Sequence, residues 1–275
     1  MRAEADSGLP ISAVIITRDA ATHLGGTLAS VSFCGERLVL DSGSTDGTAA
    51  IARAAGARVE EQTFLGYGPQ KQRAISLASH DWILSLDADE SLDAEAAASI
   101  RQLDLSDPTA CWSIRRRTFI GNREILHGPW GRERVLRLFN RTTAGFTSHV
   151  VHEEVRAARS PGLLPGSILH HSYSDASDVL LRSIRYARLK TRRLREKNAR
   201  CAAWKLPLRG VLMFAKAYLV QGGWRDGAAG FVIALSRVID SSLPRAMLLL
   251  GEEQDQAAAA EPLKTHPSEP GRETG

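Results

Sequence analysis

Four side chains able to bind or ionise stand where apolar, β-branched runs end: Thr17 after Ile11–Ile16, Asp41 closing Arg37–Asp41, and Asp87 and Asp89 after Trp82–Leu86. In open parallel sheets ligands bind beyond the carboxyl ends of strands, so agreement in position across three runs outweighs any one residue. Asp87 and Asp89 are two apart. If the strand continues through them, their carboxylates share a face and converge. Two carboxylates leaving a buried strand are costly unless paired. A divalent cation, Mg²⁺ or Mn²⁺, held by one or two carboxylates plus substrate phosphates is a natural partner. The competing reading makes Leu86-Asp-Ala-Asp-Glu-Ser91 only a turn and a helix start.

Other nucleotide-handling signatures are missing. No G-x-G-x-x-G follows the first run and no G-x-x-x-x-G-K-[ST] occurs, which disfavours a dinucleotide oxidoreductase or a P-loop ATPase. His149 and His152 are three apart with Glu153 adjacent, but no HExxH pattern or third ligand completes a structural zinc set. His170 and His171 are read as ending a strand or packing beside Tyr173. Cys34, Cys111 and Cys201 are odd in number and far apart, which suits packed thiols rather than a disulfide framework.

The elements that must position these residues alternate. Ile11–Ile16 reads as a strand buried on both faces, followed by Leu24, Leu28 and Val31 at helical spacing. Arg37–Asp41 is a second strand, Asp46–Ala55 a helix with Gly56 at its C-terminal end, and Arg58–Glu60 a weaker third strand. Pro69 suits a helix start, and Trp82–Leu86 is the fourth strand. Ser91 is read as the cap of a helix that aligns Leu92, Ala96, Ile100 and Leu103. Strand–helix alternation implies parallel pairing with right-handed crossovers, an α/β fold. Cys111–His171 reads as short strands, Gly turns and active-site loops. Beyond Ser174 the chain is helical, with Leu180, Ile184, Ala187, Thr191 and Leu194 on one face. Arg182, Arg185, Arg188, Arg192 and Arg195 form a basic stripe. Further helices are expected near Leu208–Gln221 and Asp226–Ile239, then a shorter one ending about Leu250.

Several motifs in one order resemble glycosyltransferase family 2, the inverting enzymes of GT-A fold. They are Asp41-Ser-Gly-Ser-Thr-Asp-Gly-Thr48, Gly66-Tyr-Gly-Pro-Gln-Lys71 and Asp81-Trp-Ile-Leu-Ser-Leu-Asp-Ala-Asp-Glu90. Val135-Leu-Arg-Leu-Phe139, Val151-His-Glu153 and Gly222-Gly-Trp-Arg-Asp-Gly227 extend the likeness, which is similar to the lipopolysaccharide-core glucosyltransferase branch and spans Ile11 to Leu250. The resemblance implies an α/β, GT-A-type nucleotide-sugar-binding fold with a mostly parallel central sheet, followed by C-terminal amphipathic helices. In that division residues 1–10 are a flexible N-terminus, 11–173 the catalytic domain, 174–250 a basic and apolar helical region, and 251–275 a disordered tail.

By the same resemblance Thr17 and Asp41 hold the nucleobase and ribose of a nucleotide sugar, and Asp87 reaches the ribose or the metal. Asp89 binds Mn²⁺ or Mg²⁺ bridging the diphosphate, and Lys71 assists at the nucleotide. Inversion needs a base for the acceptor hydroxyl's proton. Glu153 is the candidate and Glu154 its competitor, with His152 as a further metal or phosphate contact. Arg137 either contacts phosphate or faces out of its strand. The chain departs from its relatives at Asp19-Ala20, where they carry Asn-Glu, and at Trp130-Gly-Arg-Glu133.

The chain has 275 residues, 43% hydrophobic, 24% charged and 6% aromatic, which excludes a fibrous or wholly disordered protein. Its apolar runs fall well short of the roughly 20 residues of a membrane span. Met1–Pro10 has no basic or apolar signal-peptide region, so cytoplasmic residence is expected. The net charge of +4 is uneven. Arg182 to Arg209 holds eleven Lys or Arg and one acid, Glu196, a local +10, leaving 24 basic against 30 acidic residues elsewhere. Lys and Arg near an anionic leaflet contribute about 1 kcal/mol each, so this stretch suggests peripheral attachment to the inner face of a bacterial inner membrane, beside a lipid-linked saccharide acceptor. It lacks the interleaved aromatics of a single-strand nucleic-acid platform, so nucleic acid is disfavoured. The rival readings are a sugar-phosphate nucleotidyltransferase and a degenerate nucleic-acid- or membrane-binding protein.

Overall fold

The computed structural model describes residues 8–131, 133–146 and 155–251. The described chain divides into two compact units, one of residues 8–116 and 134–170, the other of residues 117–133 and 171–251.

The first unit opens with β1 (Leu9–Thr17), α1 (Ala21–Ser30), β2 (Cys34–Asp41), α2 (Thr48–Ala54), β3 (Arg58–Glu61), α3 (Tyr67–Leu77) and β4 (Trp82–Asp87). β1 lies between β2 and β4 and is parallel to both, and β3 is parallel to β2. Its run of branched residues is what a strand covered on both faces requires: Ile11, Ala13 and Ile15 are buried on one side and Val14 on the other. Each fully buried Val, Leu or Ile side chain contributes about 1.5–3 kcal/mol, and Leu24, Leu28 and Ile100 close one face of the sheet while Ala74 and Ile75 of α3 close the other. α3 begins at Tyr67, two residues before Pro69. The proline still falls in the first turn, where its missing N–H is not needed.

Next come β5 (Glu90–Leu92), α4 (Ala94–Arg101), β6 (Cys111–Ile120), β7 (Arg123–Glu124), β8 (Arg134–Asn140), β9 (Ala144–Phe146), β10 (Val155–Ala157) and β11 (Gly162–Tyr173). The main sheet runs β3-β2-β1-β4-β8-β6-β11-β5, so its central strands are parallel and antiparallel strands extend it beyond β4. Two expectations are corrected here. Ser91 is a strand residue opposite Leu169, so the cap of α4 passes to Asp93, whose Oδ1 accepts from the Ala96 N–H at 2.8 Å. Leu92 and Leu103 therefore lie outside that helix. The thiol of Cys34 is buried, and burial pushes its pKa up to about 12.

The second unit holds α5 (Ala176–Glu196), α6 (Lys205–Ala215), a π turn at Lys216–Val220, a 3-10 turn at Gly223–Asp226 and α7 (Ala228–Leu250). Val179, Ser183, Ala187 and Thr191 form the buried line of α5, and Arg185, Arg188 and Arg192 are exposed. The two last helical segments expected from sequence are one helix. Pro244 removes one rung of α7 without ending it, and its carbonyl accepts from Thr191 Oγ1 at 3.2 Å. In Gly222-Gly-Trp-Arg-Asp-Gly227, a Cβ on Gly230 would lie 1.8 Å from the Gly223 carbonyl oxygen, so this turn packs on α7 only as glycine against glycine. No helix among the described residues is long and apolar enough to cross a membrane.

Candidate nucleotide-sugar site

Strand register assembles the candidate residues of the first unit. Thr17 is opposite Asp41 across β1 and β2, and Ile16 is opposite Asp87 across β1 and β4, so three strand ends lie side by side. The Thr17 hydroxyl is buried with no hydrogen-bond partner among the described residues, an arrangement that suits a ligand atom.

The loop after β2 is built from its own side chains. Asp41 accepts from the Ser44 N–H at 2.9 Å and from the Ser44 hydroxyl, while Gly43 and Gly47 supply the positive φ values (+85° and +87°) that fold the loop back. Asp19 joins this loop to the one after β1. Its Oδ1 accepts from the Thr45 N–H at 2.8 Å, and its own N–H donates to Ser44 Oγ at 2.9 Å. Asp19 therefore shapes the site's backbone.

At the end of β4 the charges are dense. Lys71 Nζ lies 2.8 Å from Asp87 Oδ1, and Arg137 Nη2 lies 2.9 Å from Asp87 Oδ2 and 2.6 Å from Glu90 Oε1. Arg116 Nη1 approaches the same Glu90 oxygen at 3.3 Å, and the Asp87 N–H donates to Glu90 Oε2 at 3.1 Å. Glu90 is wholly buried, whereas the Asp87 side chain keeps 29% of its surface open. Burial would raise the Asp87 carboxyl, but the Lys71 and Arg137 cations outweigh it and hold it far below the usual carboxylate range. Glu90 is likewise lowered: burial opposes ionisation, and Arg137, with His170 and Arg116, prevails over that and over the Asp87 charge. Lys71 Nζ also stands 5.4 Å from the centre of the Phe146 ring.

Asp87 and Asp89 do not converge on one strand face. β4 ends at Asp87, Ala88 and Asp89 form a turn, and Asp89 Oδ1 instead lies 3.6 Å from His170 Nε2. Nor does Arg137 face outward: the end of β8 is covered on both sides, which turns the guanidinium into the carboxylates. His171 stacks on Phe119, with ring centres 4.5 Å apart, and Tyr173 stacks on Trp130 at 5.0 Å. Among the described residues no group of three or more His, Cys, Asp or Glu could hold a metal ion by itself. Both Asp87 oxygens are met by cations, and Asp89 stands in the following turn with His170 beside it, a carboxylate and an imidazole of the kinds that ligate divalent ions. His149, His152, Glu153 and Glu154 lie outside the described residues.

Neither Glu90 nor Arg116 stands out in the sequence as a site residue, and His170 reads there only as ending a strand or packing beside Tyr173. Glu90 was visible as a third acid in Asp87-Ala-Asp-Glu90, but only the β8 register reveals that it answers Arg137.

A family model described as glycosyl transferase family 2 matches residues 12–159. The lipopolysaccharide core biosynthesis glycosyltransferase LpsC of Rhizobium meliloti is 31% identical over 248 residues, covering 87% of this chain and 92% of its own. An uncharacterized glycosyltransferase of Rickettsia conorii is 29% identical over 237 residues, covering 81% and 83%. Among solved structures, glucosyl-3-phosphoglycerate synthase from Mycobacterium tuberculosis, in complex with Mn²⁺, uridine diphosphate and glucosyl-3-phosphoglycerate, is 25% identical with a TM-score of 0.31. That match spans only 41% of this chain and 44% of the synthase.

Proposed function

The chain belongs to glycosyl transferase family 2, and from that premise we propose a metal-dependent, inverting enzyme that moves a hexose from a UDP-linked donor to a lipid-linked saccharide such as lipopolysaccharide core. One observation carries the reading. At the strand ends the cations Lys71 and Arg137 meet on the partly open Asp87 carboxylate, an arrangement that brings two positive groups to where a diphosphate would lie. The name of the Rhizobium relative supports the acceptor class.

In this reading Thr17 and Asp41 hold the base and ribose, and Asp87 keeps Lys71 and Arg137 ionised and aimed at the nucleotide. Asp89 carries Mn²⁺ or Mg²⁺, with His152 as a further metal or phosphate contact. When bound, the ion neutralises charge on the departing nucleoside diphosphate. The acceptor hydroxyl attacks the anomeric carbon as the bond to the diphosphate oxygen breaks, and Glu153 takes the hydroxyl proton. Two residues beyond Glu153 in sequence, strand β10 begins and pairs with β9. Phe146 pairs with Val155, and the Phe146 ring is the one near Lys71 Nζ. The Arg182–Arg209 stretch and a lipid-linked acceptor favour a cytoplasmic enzyme held peripherally on the inner face of the bacterial inner membrane.

The test is a thermal-shift panel of UDP, GDP, ADP and CDP, each with and without Mn²⁺. A metal-dependent rise for UDP alone is expected; no rise with any nucleotide would overturn the donor assignment. Glu153→Gln should keep that rise and lose about 100-fold or more in turnover. Unchanged turnover would move the base to Glu154 or to another residue.

A further inference from the structure

The helix α6 is apolar on two opposite sides. Its inner side packs on α7 through Gly210, where a Cβ would stand 3.2 Å from Val238 Cγ1, and the adjoining π turn buries Ala217. Phe214 and Tyr218 meet Phe231 of α7 at ring-centre distances of 5.6 and 6.1 Å. That contact satisfies what a two-helix layer needs from an amphipathic helix, and the opposite side should then be polar.

It is not. Trp204, Leu208, Val211, Leu212 and Leu219 are each 54–69% exposed. At 3.6 residues per turn the first four of these fall within roughly 100° of one another. Lys205, Arg209 and Lys216 follow along a single border of this stripe, all exposed, and Lys205 Nζ lies 5.2 Å from the centre of the Trp204 ring. Scattered exposed apolar residues need no explanation, but a contiguous helical stripe with a cationic border does. An indole at one end, aliphatic side chains along the middle and lysine or arginine beside them are the composition of a helix lying in a bilayer interface. There the apolar face enters the acyl boundary while the cations meet anionic headgroups.

We propose that the exposed stripe of α6 and its π turn is the element that inserts into an anionic membrane surface, and that the arginine stripe of α5 acts by long-range attraction only. This rests on the membrane-peripheral reading above and assigns the insertion to specific residues. Charge complementarity selects the occupant: of the border cations, Lys205 and Arg209 belong to the +10 stretch and Lys216 extends it, and this stretch repels the same stretch on a second copy of the chain.

The experiment is co-sedimentation of the full chain with vesicles of phosphatidylcholine alone and of phosphatidylcholine with 30% phosphatidylglycerol (about a third anionic, as a leaflet rich in such lipids). Wild type should bind only the anionic vesicles. Leu208→Gln/Val211→Gln/Leu212→Gln should lose at least tenfold in vesicle affinity at low salt, with an unchanged melting temperature because all three side chains already face solvent. Arg185→Gln/Arg188→Gln/Arg192→Gln should bind at low salt and fall off at lower salt than wild type. Wild-type binding by the α6 variant would overturn the proposal. So would a wild-type dimer in light scattering that the α6 substitutions abolish while vesicle binding is absent. UDP-induced thermal shift, measured without vesicles on the same variants, separates the two readings. Its loss in wild type would count against the donor site, whereas its retention with no vesicle binding would count against the α6 assignment alone.

Discussion

Arg137 Nη2 is shared between Asp87 Oδ2 at 2.9 Å and Glu90 Oε1 at 2.6 Å, so a single guanidinium fixes the strand-end acid and the buried one behind it. Glu90 has no exposed surface, and removing Arg137 leaves its buried charge to the longer Arg116 contact at 3.3 Å and the Asp87 N–H, so much of that charge is stranded. Arg137→Met is therefore expected to destabilise the protein by about 3–5 kcal/mol in urea unfolding. Adding Glu90→Gln should return part of that loss, since the stranded charge is then gone. A double variant no more stable than Arg137→Met would deny the coupling.

The same cluster sets the acid behaviour. Asp87 and Glu90 have folded-state pKa values below their unfolded ones, because Lys71, Arg137 and Arg116 together exceed the cost of burial. A depressed carboxylate contributes stability that is fully present above its unfolded pKa, about 4, and is lost as pH falls from there through the folded value. The urea midpoint should be insensitive to these groups above pH 5 and drop below about pH 4. In Glu90→Gln that acid drop should be shallower. An equal drop in both proteins would place the acid-sensitive groups elsewhere.

Much of this site was legible as strand ends. The runs Ile11–Ile16, Arg37–Asp41 and Trp82–Leu86 each lie inside an observed strand, because β-branched residues flanked by turn signals leave little alternative. What sequence could not supply was the partner across the sheet. Ser91 reads as a cap only until β11 is known to pair with it, and Arg137 reads equally as a phosphate contact or an outward-facing residue until both sides of β8 are covered. The continuity of α7 through Pro244 was hidden for a similar reason: packing against α5 holds a helix that local propensity would break.

Asp89 is the residue on which metal dependence should turn. It lies in the turn after β4, outside the ladder, with His170 Nε2 3.6 Å from its Oδ1. Asp89→Ala should leave the unliganded melting temperature within a few degrees of wild type and remove the Mn²⁺-dependent part of the UDP shift. Turnover should fall by about 100-fold or more, the scale seen when a charge-stabilising group is removed. Asp87→Asn should behave differently, lowering the melting temperature itself because Lys71 and Arg137 lose their shared anion. If Asp89→Ala kept full metal-dependent activity, the metal would have to be held by other residues.

Asp19 offers the sharpest separation of backbone from chemistry. It is one of the non-glycine residues with positive φ, at +49°, a region that Asn and Asp enter more readily than other side chains. Its Oδ1 receives the Thr45 N–H, a bond that an asparagine carbonyl can accept equally well. Asp19→Asn should therefore keep stability and donor-induced thermal shift close to wild type. Asp19→Ala loses both the acceptor and the tolerance for left-handed backbone, and should cost about 1–3 kcal/mol. Because this bond ties the loop after β1 to the loop that carries Asp41, Asp19→Ala should also weaken UDP binding without touching the metal dependence that remains. If Asp19→Asn instead abolished UDP binding, the carboxylate charge itself would be required, and Asp19 would belong with the ligand-binding groups rather than with the loop that supports them.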